Sequence, residues 1–233
     1  MRKKRFIYTL AAVLLMCSAA SVGAGCGKSS PALLDSFGTH LDTLMTSKDK
    51  LSKMDGAAAD LCVIENEDEF SENDIEAPAG ALFNITDQKT LYSKNANDER
   101  EIASITKIMT ALLAMKYADL SQEVTISYTP EGLESSAVLC GFEQGDKMML
   151  SRLLRAALIY SGNDAAIDIA IAVAGSQEAF VDMMNQESKE LMTSHTHFAN
   201  PTGLTQSKHY SSVYDVYLMF QECLKYPTFR DII

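Results

Sequence analysis

EREIASITKIMTALLAMK, residues 99–116, places apolar side chains at Ile108, Ala111, Leu112 and Met115, the spacing of one buried helical face. The stretch predicts a helix whose first turn carries Ser104 and Lys107. Three positions apart, the two side chains are neighbours on a helical surface. A serine hydroxyl is a weak nucleophile without a base beside it. A lysine serves as that base only where burial disfavours its ammonium form. The start of an apolar helix offers burial, and its N-terminus offers partial positive charge for a developing oxyanion. Spacing alone is weak evidence, since Ser-x-x-Lys arises by chance roughly once in a chain this long at average usage. Ser47-Lys48-Asp49-Lys50 fits the same pattern but stands in a polar segment with no apolar wall. Context is what sets Ser104 apart.

Working outward, Ser161-Gly162-Asn163 lies between two strongly apolar segments, Leu150–Leu158 and Asp164–Ala174. Ser and Asn favour turns and helix caps, and the triplet also occurs at Ser71-Glu72-Asn73 and Ser93-Lys94-Asn95. Between two buried helices, however, a polar turn can aim inward, where a hydroxyl can pass a proton and a carboxamide can hold a substrate amide. A third stretch, THFANPTGL at 196–204, contains His197. With Lys107 available as a base, His197 reads as a residue that positions its loop.

The remaining chain supports a globular domain of substantial core, with 47% hydrophobic and 22% charged residues in 233. A formal net charge of −11 argues against a nucleic-acid surface. Residues 1–25 read as a secretory signal: Arg2, Lys3, Lys4 and Arg5, a short apolar run, then small residues. Cys26 then resembles the lipidated residue of a bacterial lipoprotein, although Gly23 stands where that motif usually has leucine. Residues 26–58 read as a polar tether or stalk, and 59–233 as the domain. Cys62, Cys140 and Cys223 lack metal-site spacing and read as small thiols in the fold, so no metal or cofactor is expected.

In the domain, Asp60–Ile64 reads as a first strand and the acidic run 65–76 as a solvated loop. Ala81–Ile85 and Thr90–Ser93 form a hairpin whose turn would favour glycine at Gln88. Val124–Tyr128 reads as a short strand and Ser135–Gly145 as a loop. Helices follow at Leu150–Leu158, Asp164–Ala174 ended by Gly175, Ser176–Leu191 capped by Ser176, and about Ser211–Leu224.

ASITKIMTALLA, SGNDAA at 161–166 and THFANPTGL come in the order and spacing of the serine D-alanyl-D-alanine carboxypeptidases, the low-molecular-mass penicillin-binding proteins of peptidase family S11. The resemblance extends from about Ala79 to Ile233. It implies an α+β, β-lactamase/transpeptidase-like fold, an antiparallel sheet beside a helical subdomain. It implies Ser104 as nucleophile, Lys107 as base, Ser161 as proton relay and Asn163 as the residue orienting substrate. The substrate would be the D-Ala–D-Ala end of peptidoglycan stem peptides, with β-lactams as inhibitors, outside the cytoplasm and tethered to the membrane through Cys26 or the signal. The family's Lys-Thr-Gly motif is absent from this sequence, so the later sheet strands are expected to be missing. Two alternatives stand beside this one. A non-catalytic wall-peptide-binding lipoprotein fits the missing motif. A class A β-lactamase fits less well, lacking both Ser-Asp-Asn and a Glu-x-x-Leu-Asn sequence after Asn163.

Overall fold

In a computed structural model of the chain, the residues described are 61–64, 75–128, 133, 135 and 137–233. The expected signal, the Cys26 tether, the second Ser-x-x-Lys at Ser47 and most of the acidic run lie outside them. Two compact units make up the structure, one ending at Ala96 and one spanning Asn97–Ile233.

The first unit contains an antiparallel hairpin of β1 (Gly80–Asn84) and β2 (Lys89–Lys94), with a register shift between Leu82 and Phe83. Leu82, Leu91 and Tyr92 form its buried face, with Ile75 against them. The turn is the one the sequence left awkward: Gln88 takes φ +55 with no glycine to ease it. Asn84 compensates, its Oδ1 accepting the backbone N–H of Thr86 and of Asp87 at 3.1 Å each. The strand expected at Asp60–Ile64 is instead a single bridge from Val63 to Lys89, and the Thr90 hydroxyl donates to the Val63 carbonyl at 2.8 Å.

The second unit is a helical cluster with a small antiparallel pair. A 3-10 turn, Ala103–Thr106, leads into α1, Lys107–Tyr117. Ser104 therefore stands in the tight turn before the α-helix rather than in its first turn, and the helix begins at Lys107. Met109, Ala111, Leu112, Leu113 and Ala114 are all buried, because α1 packs against four other helices. β3 (Glu123–Thr125) pairs with β4 (Lys147–Met149), a strand of three residues, too short to read from sequence. The expected strand Val124–Tyr128 stops early for a physical reason. The N–H groups of Ser127 and Tyr128 leave the ladder and donate to the Asp168 carboxylate at 3.0 and 3.2 Å.

α2 (Leu150–Ile159) buries Leu150, Leu153, Leu154 and Ala157, and it packs on α3 (Asn163–Ala174). Gly175 ends α3 at φ +83, a conformation that favours glycine. Ser176 caps α4 (Gln177–Glu190), its hydroxyl accepting the Ala179 N–H at 3.1 Å. Ser212 caps α5 (Val213–Cys223) through the Asp215 N–H at 3.1 Å. A last short helix, α6 (Pro227–Ile232), was not legible, having too few residues to show a period. Its Phe229 is buried edge-on against Phe220, ring centroids 5.5 Å apart. Among the described residues, no helix is long and apolar enough to cross a membrane.

Candidate active site

The site lies in the second unit, where the N-terminal end of α1, the α2–α3 turn and the 199–203 loop converge on Lys107. Its side chain is almost wholly buried, at 2% exposure, whereas Ser104 is exposed. Lys107 Nζ stands 2.8 Å from the Thr202 carbonyl, 2.9 Å from Asn163 Oδ1, 3.1 Å from Ser104 Oγ and 3.4 Å from Ser161 Oγ. The Ser161 hydroxyl donates to Ser104 Oγ at 2.8 Å. All four residues singled out from the sequence for this site are thus brought together.

The proton count is informative. An ammonium has three N–H donors for these four oxygens, and a neutral amine has two donors and one lone pair. The carboxamide and carbonyl oxygens can only accept, and they are the two nearest. A neutral Lys107 satisfies both of them and turns its lone pair toward the serine hydroxyls. Burial favours that form, lowering the Lys107 pKa from 10.5 to about 8 against opposing pulls from Asp164 and Cys140.

Several groups that hold this geometry were not singled out from the sequence. The loop through Asn200, Pro201 and Thr202 is tied to α1 by two of its side chains. Lys107 donates to the Thr202 carbonyl, and the Thr110 hydroxyl donates to the Pro201 carbonyl at 2.7 Å. Asn200 organises the loop from within: Oδ1 accepts from Thr202 N, Thr202 Oγ1 and Gly203 N, and Nδ2 donates to the Leu204 carbonyl and to Gln206. Gly203, at φ +86, lies flat against the nucleophile turn. A Cβ there would stand 1.8 Å from the Ala103 carbonyl oxygen. Ala103 itself is at φ +45, a conformation that costs of order 1 kcal/mol outside glycine. The turn that presents Ser104 is therefore strained on one side and pressed by backbone on the other.

His209 bridges turn and loop. Its Nδ1 accepts the Ala199 N–H at 3.0 Å, which leaves Nε2–H to donate to Thr106 Oγ1 at 2.7 Å. Burial, with a smaller contribution from His197, pushes its pKa down to about 4. The other loop histidine, His197, stays away from Lys107 and Ser104. It pairs its backbone with Tyr210 and places Nδ1 2.5 Å from the Lys208 carbonyl.

In the α2–α3 turn, Ser161 takes φ +63. Asn163 N and Nδ2 both donate to the Val138 carbonyl, at 2.9 and 3.1 Å. Since Nδ2 is committed there, Oδ1 must face Lys107. Asp164 accepts Cys140 N at 3.0 Å and Ala165 N at 2.9 Å on Oδ1, and Gly141 N at 2.9 Å on Oδ2. Gly162 is needed for closeness, because a Cβ there would meet Cys140 Sγ at 2.4 Å and Asp164 Oδ1 at 2.9 Å. One sequence signal could have found Asp164 and Asp168: two acids one turn apart in an otherwise apolar helix must be buried, and buried carboxylates need donors.

Comparison with known proteins identifies the family. Residues 66–232 match the family model described as D-alanyl-D-alanine carboxypeptidase. The chain belongs to that family. It is 41% identical over 158 residues to the D-alanyl-D-alanine carboxypeptidase DacF of Bacillus subtilis, covering 66% of this chain and 40% of the relative. Identity to DacA of Escherichia coli is 33% over 160 residues, covering 65% and 40%. Among solved structures, a variant of the Streptomyces K15 DD-transpeptidase superposes with TM-score 0.65 at 28% identity, covering 68% of this chain and 65% of that one. Penicillin binding protein 6B of Escherichia coli gives 0.59 at 27%, covering 62% and 50%. The fold is thus the transpeptidase-like one, and the chain spans about 40% of the length of the two curated relatives.

Proposed function

We propose that the chain carries the acylation site of a serine D-Ala–D-Ala carboxypeptidase, with Ser104 as nucleophile, Lys107 as base, Ser161 as relay and Asn163 as the substrate-orienting group. One observation carries the reading: a buried amine, its donors committed to fixed acceptors, stands 3.1 Å from an exposed serine hydroxyl. Ser104 Oγ attacks the carbonyl carbon of the penultimate D-Ala and its proton passes to the Lys107 lone pair. The C–N bond then breaks, the leaving amine taking a proton through Ser161, which contacts both Ser104 and Lys107. Water hydrolyses the acyl ester and frees Ser104. A β-lactam offers the same carbonyl but keeps its leaving amine tethered, so it would trap the ester.

The substrate is the stem peptide of peptidoglycan, which places the chain outside the cytoplasm. The basic, apolar and small-residue pattern of residues 1–25 supports export, and Cys26 supplies a lipid anchor.

The test is the intact mass of the full chain after incubation with benzylpenicillin. The expected result is a gain of one intact penicillin, absent in Ser104→Ala. No adduct from folded protein would overturn the proposal. The labelling rate should rise with pH through about 8, as the Lys107 ammonium gives way to the amine. A flat profile across that range would remove Lys107 as the base.

A further inference from the structure

α3 carries its two buried aspartates one turn apart, and both face the same stretch of chain. Asp168 Oδ1 accepts from Ser127 N, Ser127 Oγ and Tyr128 N at 3.0, 3.2 and 3.2 Å. Asp164 takes Cys140 N and Gly141 N. Between them they hold Ser127, Tyr128, Cys140 and Gly141 on one helix. The last two matter to the site, because Val138 lies two residues before the first N–H that Asp164 holds. Its carbonyl receives the backbone N–H and an Nδ2–H of Asn163 and so decides which way that carboxamide faces.

The geometry points to Asp164 as a positioning residue for Lys107: it holds Cys140 and Gly141 on α3 so that the Val138 carbonyl turns Asn163 Oδ1 toward the amine, and it sets a negative charge close by. This rests on the acylation reading for its consequence in catalysis, but the positioning itself needs no reaction. Gly162 fits the same purpose, leaving room for the Cys140 side chain and the Asp164 carboxylate to close on the α3 N-terminus.

The titratable groups acting on Lys107 are Asp164, from α3, and Cys140, from the fastened segment; its four hydrogen-bonding neighbours, Ser104, Ser161, Asn163 and Thr202, are uncharged. The Cys140 thiol is itself pushed up to about 11 by burial and by Asp164, so it is neutral where Lys107 titrates. Asp164 is then the one full charge in that set. It favours the ammonium, and removing it should favour the free amine.

The experiment is a pH titration of the Lys107 Cε resonance in the full chain labelled with 13C-lysine, assigned with Lys107→Arg. Amide exchange at Cys140 and Gly141 is read on 15N-labelled chain. In Asp164→Asn the Lys107 midpoint should fall, with proton affinity weaker by roughly threefold or more, and the two amides should exchange about tenfold faster or more. Asp164→Glu keeps the charge but misplaces the oxygens, so its midpoint should stay near the unsubstituted value while both amides exchange faster. An unmoved midpoint in Asp164→Asn, or unchanged exchange at both amides, overturns the inference. Should Asp164→Asn fail to fold, the unsubstituted chain decides: freely exchanging Cys140 and Gly141 amides overturn it, and protected ones support it. None of these readouts needs an acyl-enzyme, so a failed penicillin reaction and a failed positioning role remain separate results.

Discussion

Two segments bear on Lys107, the 199–203 loop directly and the 138–141 segment through Asn163, and they are held in contrasting ways. The 199–203 loop is held largely from within. Asn200 accepts three hydrogen bonds and donates two, all within six residues of itself, and Pro201 fixes the backbone between. The 138–141 segment has no such internal organiser among the described residues. It is held by Asp164 and Asn163, more than twenty residues away in sequence. A self-organised loop keeps its shape and needs only docking, whereas a borrowed one has its shape only while α3 is in place. The site thus combines a preformed wall with a wall assembled on folding.

The sharpest way to break the first wall is at its contact with the nucleophile turn. Gly203→Ala adds a Cβ where the Ala103 carbonyl already stands, at a φ that disfavours any side chain. We expect a loss of about 3 kcal/mol or more in urea unfolding, and loss of penicillin labelling with it. An unchanged midpoint would mean that loop and turn do not touch.

Next in size is a pH effect at His209, which docks this loop on Thr106. Its pKa is lowered in the folded state, so the unfolded chain binds the proton more tightly and stability rises with pH between about 4 and 6.5. The stabilisation is present above 6.5 and lost on acidification toward 4, by at most about 3 kcal/mol. His209→Gln should remove that part of the pH dependence; an identical acid limb in the variant would show that His209 does not titrate on unfolding.

Asn200→Ala should cost about 2 kcal/mol, since it strips the loop of its organiser but leaves the docking bonds of Lys107 and Thr110 in place. Denaturant titration checks this, and a cost no larger than that of an ordinary surface substitution would mean that the loop is held by docking alone. The smallest effect is expected at Asp168, which holds Ser127 and Tyr128. Asp168 Oδ2 is buried without a partner, and burial raises the carboxyl pKa. Asp168→Asn can keep the accepting oxygen and sheds a poorly compensated charge, so stability should change by less than about 1 kcal/mol. A large loss there would show that the full charge of Asp168 is what holds Ser127 and Tyr128.

The same contrast accounts for what could be read from the sequence. The Ser104 helix, the Ser161 turn and the Asn-Pro loop were legible because each is specified locally, by apolar period or by turn-forming residues at close spacing. Gly175 and Ser176 announced their helix ends for the same reason. The role of Asp164 was not legible, because nothing near Cys140 in sequence says that its N–H will meet a carboxylate on another element. Three residues of the expected strand, Ile126, Ser127 and Tyr128, fall outside β3, and the last two are drawn to Asp168 by the same long-range pull. The Gln88 turn could be flagged as difficult, but its rescue by Asn84 depends on side-chain direction. His209, an isolated histidine in a polar loop, showed no sign of its burial.

Lys107 is the first residue of α1, the helix enclosed by α2, α3, α4 and α5. A helix gripped on so many sides has no cheap way to open alone. Its amides, from Ala111 to Ala114, should therefore exchange with deuterium only when the whole unit comes apart, while the exposed Thr205–Lys208 stretch exchanges freely. The base is thus rooted in the last part of the unit to loosen, and gentle heating would strip away the outer segments before it could displace the amine.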